Sequence, residues 1–388
     1  MICINEFMQA KKIKIAVLCP GFGLIPRGIE TVVKEVFFLL SENNNEYLID
    51  IYCGAKPTEI RTPKNIKIKY VKLPKFNTYY SKLYKKIAKK LKYPAQEEYD
   101  FNFMIFAIKI FPRLLCNSYD VIFNNAGIFS AYICRFIRKI ANIPYIHSGH
   151  AGINNLELAL AKQKPDVYIA STQPAKEWLA AKFKNLKIKV IPNNINPEIF
   201  KPYQVSENKL NITTKMQRPI YLFVGALTYQ KQPLKLLNAF LKLKQGSLII
   251  VGDGPLKNEL LNIVSAAKIS SSRFLYLENV DYSKLPDYFN FCDYFTMLSQ
   301  NETFGIVYIM ALACNKPILA EDSPQQKWML GAAALYCDSK IEEEALTQKL
   351  IELKNIEFGN IPLELSKKYY WSNIVKLYDS LIKDIAIL

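Results

Sequence analysis

The stretch SQNETFGIVYIMALACNKPILAED (299–322) decides the fold. An apolar strand ends at Ser299. A polar elbow follows, holding Asn301, Glu302 and Thr303. A helix is expected from Phe304, and KPILAED (316–322) reads as the next strand. A strand–elbow–helix–strand unit with near-continuous apolar strands belongs to a parallel sheet covered on both faces. Gly305 lets a ligand approach the free N–H groups of the first helical turn. An anion docked there gains about 0.3–2 kcal/mol from the helix dipole. Glu302 is out of place beside an anion unless its carboxylate serves hydroxyl groups; the competing reading makes it a helix cap.

The same alternation runs outward in both directions. Strands are expected at 12–19, 48–54, 66–73, 119–125, 144–150, 167–172 and 188–194, and again at 219–227, 247–254, 272–279, 294–299, 316–322 and 333–337. Two such sets predict an α/β chain of two Rossmann-like domains facing each other across a cleft. The expected bounds are 1–200 for the first domain, 201–218 for a linker and 219–368 for the second domain. A final amphipathic helix is expected at 369–388. In open α/β sheets, ligands lie at the carboxyl ends of the strands. Three further segments sit at such ends. PGFGLIPRGIETVVKEVFFLL (20–40) brings Gly21, Gly23 and Gly28. PYIHSGHAG (144–152) brings His147 and His150, of which His150 is the better site candidate. VGALTYQKQPLKLLNAFLKL (224–243) brings Lys231, placed where a helix N-terminus can share a phosphate with it. None of these loops is a G-x-G-x-x-G or a Walker A loop.

Composition narrows the classes. The chain has 388 residues, half of them hydrophobic and 22% charged, which excludes a disordered or collagenous protein. The eight cysteines form no C-x-x-C pair and several lie in apolar runs, so a reducing compartment is expected. Two histidines argue against a histidine-based metal site. No apolar run is long enough to span a bilayer, and the start of the sequence does not read as a secretory signal. The net charge is +17. Residues 1–200 hold 30 basic and 15 acidic residues, a net of +15, so the excess belongs to one domain. That domain is expected to face something anionic. SKLYKKIAKKLKY (81–93) combines an apolar stripe of Leu83, Ile87 and Leu91 with Lys82, Lys85, Lys86, Lys89 and Lys90. It reads either as an interfacial membrane helix or as a solvated surface helix. Nothing in the sequence marks a nucleic-acid binder.

Taken together the motifs resemble the GT-B glycosyltransferases, in particular the retaining glycosyltransferase family 4 (glycosyl transferases group 1). The resemblance runs over nearly the whole chain. It rests on RGIE (27–30), PYIHSGHAG, IPNNINPEIF (191–200), VGALTYQK (224–231), IIVGDGP (249–255), ETFGIVYIMALACNKP (302–317) and the closing YYWSNIVKLY, which resembles the family's terminal helix crossing back to the N-terminal domain. It implies a role for each matching residue. Glu302 is the first acid of an E-x7-E motif and touches the donor sugar. The turn Thr303, Phe304, Gly305, Ile306 and Val307 binds the diphosphate, which Lys231 neutralises. His150 lies near the transferred sugar, Gly28 on the acceptor side, and Val280, with Asn279, along the nucleobase.

The sequence departs from that pattern at four places. Met310 replaces the second acid of E-x7-E, which grips the ribose. Ala226 replaces an arginine, Gln232 a glycine, and Asn193-Asn194-Ile195-Asn196 stands for N-G-I-D. No D-x-D occurs, so the leaving diphosphate is expected to be stabilised by amides, helix dipole and lysine without a metal. The expectation is a retaining, metal-independent hexosyltransferase that needs no cofactor. It would take a UDP- or GDP-linked sugar to a lipid-linked or envelope-glycan acceptor, as a peripheral protein at the cytoplasmic face of an anionic membrane. The alternative is a non-catalytic scaffold or partner of an active transferase.

Overall fold

The computed structural model describes residues 12–22, 28–43, 46–54, 61–73, 97–150, 152–210, 212 and 214–386. The basic segment 81–93, with Lys82, Lys85, Lys86, Lys89 and Lys90, lies outside the described residues.

The chain divides into two compact units. The first comprises the described residues up to Ser171, Lys176–Ile191 and those from Val375 onward. Its sheet contains β1 (Ile13–Leu18), β2 (Tyr47–Cys53), β3 (Ile66–Tyr70), β4 (Val121–Asn124), β5 (Tyr145–Ser148), β6 (Val167–Ala170) and β7 (Ile188–Val190). The order is β3-β2-β1-β4-β5-β6-β7, with every described pairing parallel. β1 shows why the strands read as unbroken apolar runs: Ile15, Ala16, Val17 and Leu18 are all fully buried, since helices cover both faces. Phe37 and Phe123 meet edge-on at 5.1 Å, and Tyr378 of the terminal helix Trp371–Ala386 packs on both. The Tyr47 hydroxyl donates to Asp379 at 2.6 Å, which ties the same helix to β2.

The second unit comprises Thr172–Ala175 and Pro192–Ile374. Its strands are β8 (Ile220–Val224), β9 (Ser247–Val251), β10 (Phe274–Leu277), β11 (Tyr294–Met297), β12 (Ile318–Glu321) and β13 (Ala334–Cys337). Their order is β10-β9-β8-β11-β12-β13, again all parallel.

The expected linker at 201–218 is corrected by this division: the chain changes units at Ile191–Pro192. The described residues among 201–218 are polar because they form a surface strap on the second unit. Phe200 and Met216 at its ends are buried in that unit's core, and the Tyr203 hydroxyl donates to Asp287 at 2.6 Å. The terminal helix also begins later than expected. Lys367–Tyr369 is a 3-10 turn, and Ile195 N–H bonds to the Tyr369 carbonyl at 2.8 Å before the helix opens at Trp371.

Candidate functional site

In each sheet the strand order reverses once, between β1 and β4 and between β8 and β11. Neighbouring connections diverge to opposite faces there and leave a crevice at the strand ends. Lys231 and Glu302, singled out from the sequence, lie on the loops at the second of these points.

In the second unit, β8 is followed by the 3-10 turn Tyr229–Lys231 and the helix Pro233–Leu241. β11 is followed by the elbow 298–305 and the helix Ile306–Ala313. The Gln300 N–H donates to the Gln230 carbonyl at 2.9 Å, so the two loops are joined through their backbones. Across this junction the Lys231 ammonium forms an ion pair with the Glu302 carboxylate. Their side chains are only 19% and 9% exposed. The two residues are 71 positions apart, and strand order alone brings them together. Glu302 is therefore not a helix cap: its partner is a cation, and no side chain caps the helix Ile306–Ala313.

That helix starts at Ile306, not at Phe304. Gly305 has φ +76°, which keeps the two preceding residues outside the helix. A Cβ at Gly305 would lie 2.6 Å from the ring of Tyr308. The ring is held in place because its hydroxyl donates to the Met297 carbonyl at 2.8 Å, so glycine is required on both counts. Phe304 is buried edge-on against Tyr369 at 5.6 Å and anchors the elbow. The uncapped first turn, with the Ile306 and Val307 amides, is thus held next to the Lys231–Glu302 pair. Thr303 is half-buried in the elbow. Val280 packs on the core beyond the edge strand β10.

Two departures from the family pattern acquire a physical meaning. Gln232, where the family has glycine, keeps the left-handed backbone at φ +53°. Met310 is 5% exposed and packs within the apolar core. The turns after Gly305 carry position 310 inward.

Several residues at this end of the sheet had no sequence signal. Ser299 is fully buried with no partner for its hydroxyl. Glu321, ending β12, accepts from Ser339 Oγ at 2.8 Å, and its other carboxylate oxygen has no partner. Burial, with Asp338 and Glu302 nearby, raises its pKa above the usual carboxylate value.

In the first unit, Gly28 opens the helix Gly28–Asn43, which follows β1. Asn124 and Asn125 end β4, beside the two histidines of β5 and its following loop. Asn124 Oδ1 accepts from Ala126 N–H at 3.2 Å, which orients its amide. Its Nδ2 therefore donates to His147 Nδ1, at 3.0 Å, and the imidazole proton sits on Nε2. That Nε2 is buried with no partner among the described residues. His150 Nε2 lies 3.2 Å from Asn125 Oδ1 and so donates to it, leaving Nδ1 as an acceptor. The asparagines, which the sequence reading passed over, thus set both tautomers. The switch point after β4 is the signal that would have found them.

Burial pushes His147 down to about 3, helped by the neighbouring His150, and His150 down to about 4. Both rings are neutral at pH 7. The unfolded chain binds these protons near pH 6.5 and the folded chain only well below it. Stability is therefore full above about pH 6.5 and falls as the pH drops through the window to 4. His147, at 2% exposure, accounts for about 3 kcal/mol of that loss at pH 4. Urea unfolding at pH 7 and pH 4 is expected to show this slope in the wild type and a flatter one in His147→Gln. Equal slopes in the two proteins would contradict it.

Residues 205–370 match the model of the glycosyl transferases group 1. An uncharacterised glycosyltransferase of Methanocaldococcus jannaschii is 27% identical over 57% of this chain and 61% of its own length. The alpha-monoglucosyldiacylglycerol synthase of Streptococcus pneumoniae is 24% identical over 60% of this chain and 62% of its own length. The matched stretch thus spans somewhat under two thirds of these relatives. Among solved structures, sucrose-phosphate synthase from Thermosynechococcus elongatus superposes with a TM-score of 0.77 at 18% identity, over 96% of this chain and 99% of that one. The Anabaena protein HepE in complex with UDP-glucose gives 0.69 at 16% identity, over 96% and 100%. At these identities the structures establish the fold, the two Rossmann-like units of GT-B glycosyltransferases.

Proposed function

From a stretch, residues 205–370, that is a glycosyl transferases group 1 domain, we propose that the chain is a glycosyltransferase. In this reading it moves a hexose from a UDP- or GDP-linked donor to a lipid-linked or envelope-glycan acceptor. One observation carries the proposal: the Lys231–Glu302 pair stands beside an uncapped helix N-terminus at the switch point of the second sheet. Structures of HepE with UDP and with UDP-glucose support the nucleotide-sugar. The glucosyldiacylglycerol in the name of the Streptococcus relative supports the lipid acceptor.

The roles follow from the chemistry. The Ile306 and Val307 amides and the helix dipole receive the diphosphate. An ammonium has three N–H donors, so Lys231 can hold Glu302 with one and a phosphate oxygen with another. Glu302 keeps a free lone pair for a sugar hydroxyl. Thr303, Phe304 and Gly305 shape the turn, Val280 lines the base, and Met310 lies on the ribose side. In the first unit, Gly28 serves the acceptor and His150 offers its Nδ1 lone pair to a sugar hydroxyl. Retention of configuration comes with the family reading. The charge excess of the first 200 residues supports a place at the inner face of an anionic membrane, and no helix among the described residues is long and apolar enough to cross it. No nucleic acid is involved. The buried Met310 favours one alternative, a non-catalytic partner of an active transferase.

Thermal-shift measurements with UDP-, GDP- and CMP-sugars test the reading. A ligand at about 100 times its Kd adds about 2.7 kcal/mol, which raises Tm by roughly 5–11 °C in units of this size. One nucleotide class is expected to shift the midpoint, and none doing so would overturn the proposal. Because the sequence lacks D-x-D, transfer is expected to survive EDTA; loss of turnover restored by Mg²⁺ or Mn²⁺ would refute the dipole-and-lysine account of the leaving group.

A further inference from the structure

The helix Ile128–Ala141 buries Ile128, Ala131, Cys134 and Ile137 on one side. Its other side holds Tyr132, Phe136 and Ile140, which are 48%, 51% and 54% exposed. These three are spaced by four residues, so they form one continuous stripe along the helix. The stripe does not end at the helix edge. Phe136 meets Phe111 of the helix Glu97–Cys116 at 5.8 Å, and Ile108 of that helix is 57% exposed. Two neighbouring helices thus present one outward apolar face. Isolated exposed apolar side chains need no explanation, but a contiguous set on adjacent elements does.

The charges around the face have one sign. The helix Ile128–Ala141 contains Arg135, Arg138 and Lys139 and no acid, and after Asp100 the helix Glu97–Cys116 carries only Lys109 and Arg113. Arg138 is engaged with Asp166 at 2.9 Å. Arg113 and Lys139 form no ion pair among the described residues, and both are exposed. Apolar and aromatic side chains flanked by the unpaired cations Arg113 and Lys139 match the boundary of an anionic bilayer: acyl chains take the stripe and headgroups the cations.

We propose that the outer face of the helices Glu97–Cys116 and Ile128–Ala141 docks on an anionic lipid surface, with Tyr132, Phe136 and Ile140 entering the interface. The proposal rests on the reading that the acceptor lies at a membrane, and it locates the contact on described helices, apart from the segment 81–93.

The test uses the full chain in co-sedimentation with vesicles of phosphatidylcholine alone or with added phosphatidylglycerol. The wild type is expected to pellet with the anionic vesicles only. Tyr132→Ser/Phe136→Ser/Ile140→Ser and Arg113→Glu/Lys139→Glu are each expected to lower that binding tenfold or more, with circular dichroism unchanged. Phe136→Trp, a change at an exposed site that does not threaten the fold, is expected to shift the emission of the introduced indole to the blue and to make it quenchable by brominated acyl chains. Wild-type binding retained by both multiple variants, with the emission of Phe136→Trp unmoved, would overturn this surface and leave the membrane reading standing. Absence of wild-type binding would overturn both. A change of oligomeric state in the serine variant without a change in vesicle binding would assign the face to a second copy of the chain and overturn the lipid assignment.

Discussion

Glu302→Ala is expected to abolish transfer, by a factor of roughly a thousand or more, while the second unit stays folded. The carboxylate is mostly buried and its partner is the Lys231 ammonium. Removing it leaves a cation with some access to water, which costs about 1–3 kcal/mol and does not unfold the unit. It also frees Lys231 to swing toward any anion, so nucleotide binding survives while the sugar loses its hydroxyl acceptor. The signature is a collapse of kcat with little change in nucleotide Kd. Lys231→Ala acts the other way. It removes a charged hydrogen bond to the diphosphate, about 1.5–3 kcal/mol, and leaves an uncompensated carboxylate beside the phosphate site. Nucleotide affinity in Lys231→Ala is therefore expected to fall further than in Lys231→Ala/Glu302→Gln, where the repulsion is gone. This non-additivity is what a double-mutant cycle reads. Calorimetric titration of the wild type and the variants with the nucleotide found by thermal shift decides it. Unchanged kinetics and affinity in both single variants would leave the non-catalytic reading ahead.

Much of this was legible before any coordinates. Each of the thirteen described strands falls where an apolar run had been read, because strands of a doubly covered parallel sheet are buried on both faces and cannot alternate. The elbow around Gly305 was legible too, since a glycine between a strand end and an apolar helix has few other uses. Strand order was not legible. Nothing near Lys231 announces Glu302; the pair exists because β11 lies next to β8 and not next to β10. Asn124 and Asn125 were missed for the same reason, since their role depends on β4 lying beside β5. The unit boundary was misplaced because polar composition marks surface, not flexibility: the strap 201–218 is polar yet fastened at Phe200, Tyr203 and Met216. The helix start was misplaced by two residues because Phe304 looks like a helix former but is committed to Tyr369.

Met310→Glu separates the two functional readings. In the ligand-free protein, position 310 is 5% exposed among core side chains. A carboxylate placed there has lost its water and gained no cation, which is expected to destabilise the second unit by about 3–5 kcal/mol at pH 7. Its pKa must rise, so the penalty is absent below the unfolded value near pH 4.3 and grows as the pH climbs to the folded one. Met310→Gln, of similar shape and without charge, is expected to cost less and to show no such pH dependence. A bound nucleotide changes the balance only if its ribose reaches this position. In that case the 2′- and 3′-hydroxyls donate to the new carboxylate. Nucleotide then tightens by about 1–3 kcal/mol over the wild type, and the Tm shift on adding it is larger in Met310→Glu than in the wild type. If the core has instead closed over the ribose subsite, the variant is destabilised and nucleotide rescues nothing. The first outcome places the ribose against the helix Ile306–Ala313 of a working transferase. The second, joined to an absence of turnover in the wild type, assigns the chain to the non-catalytic class.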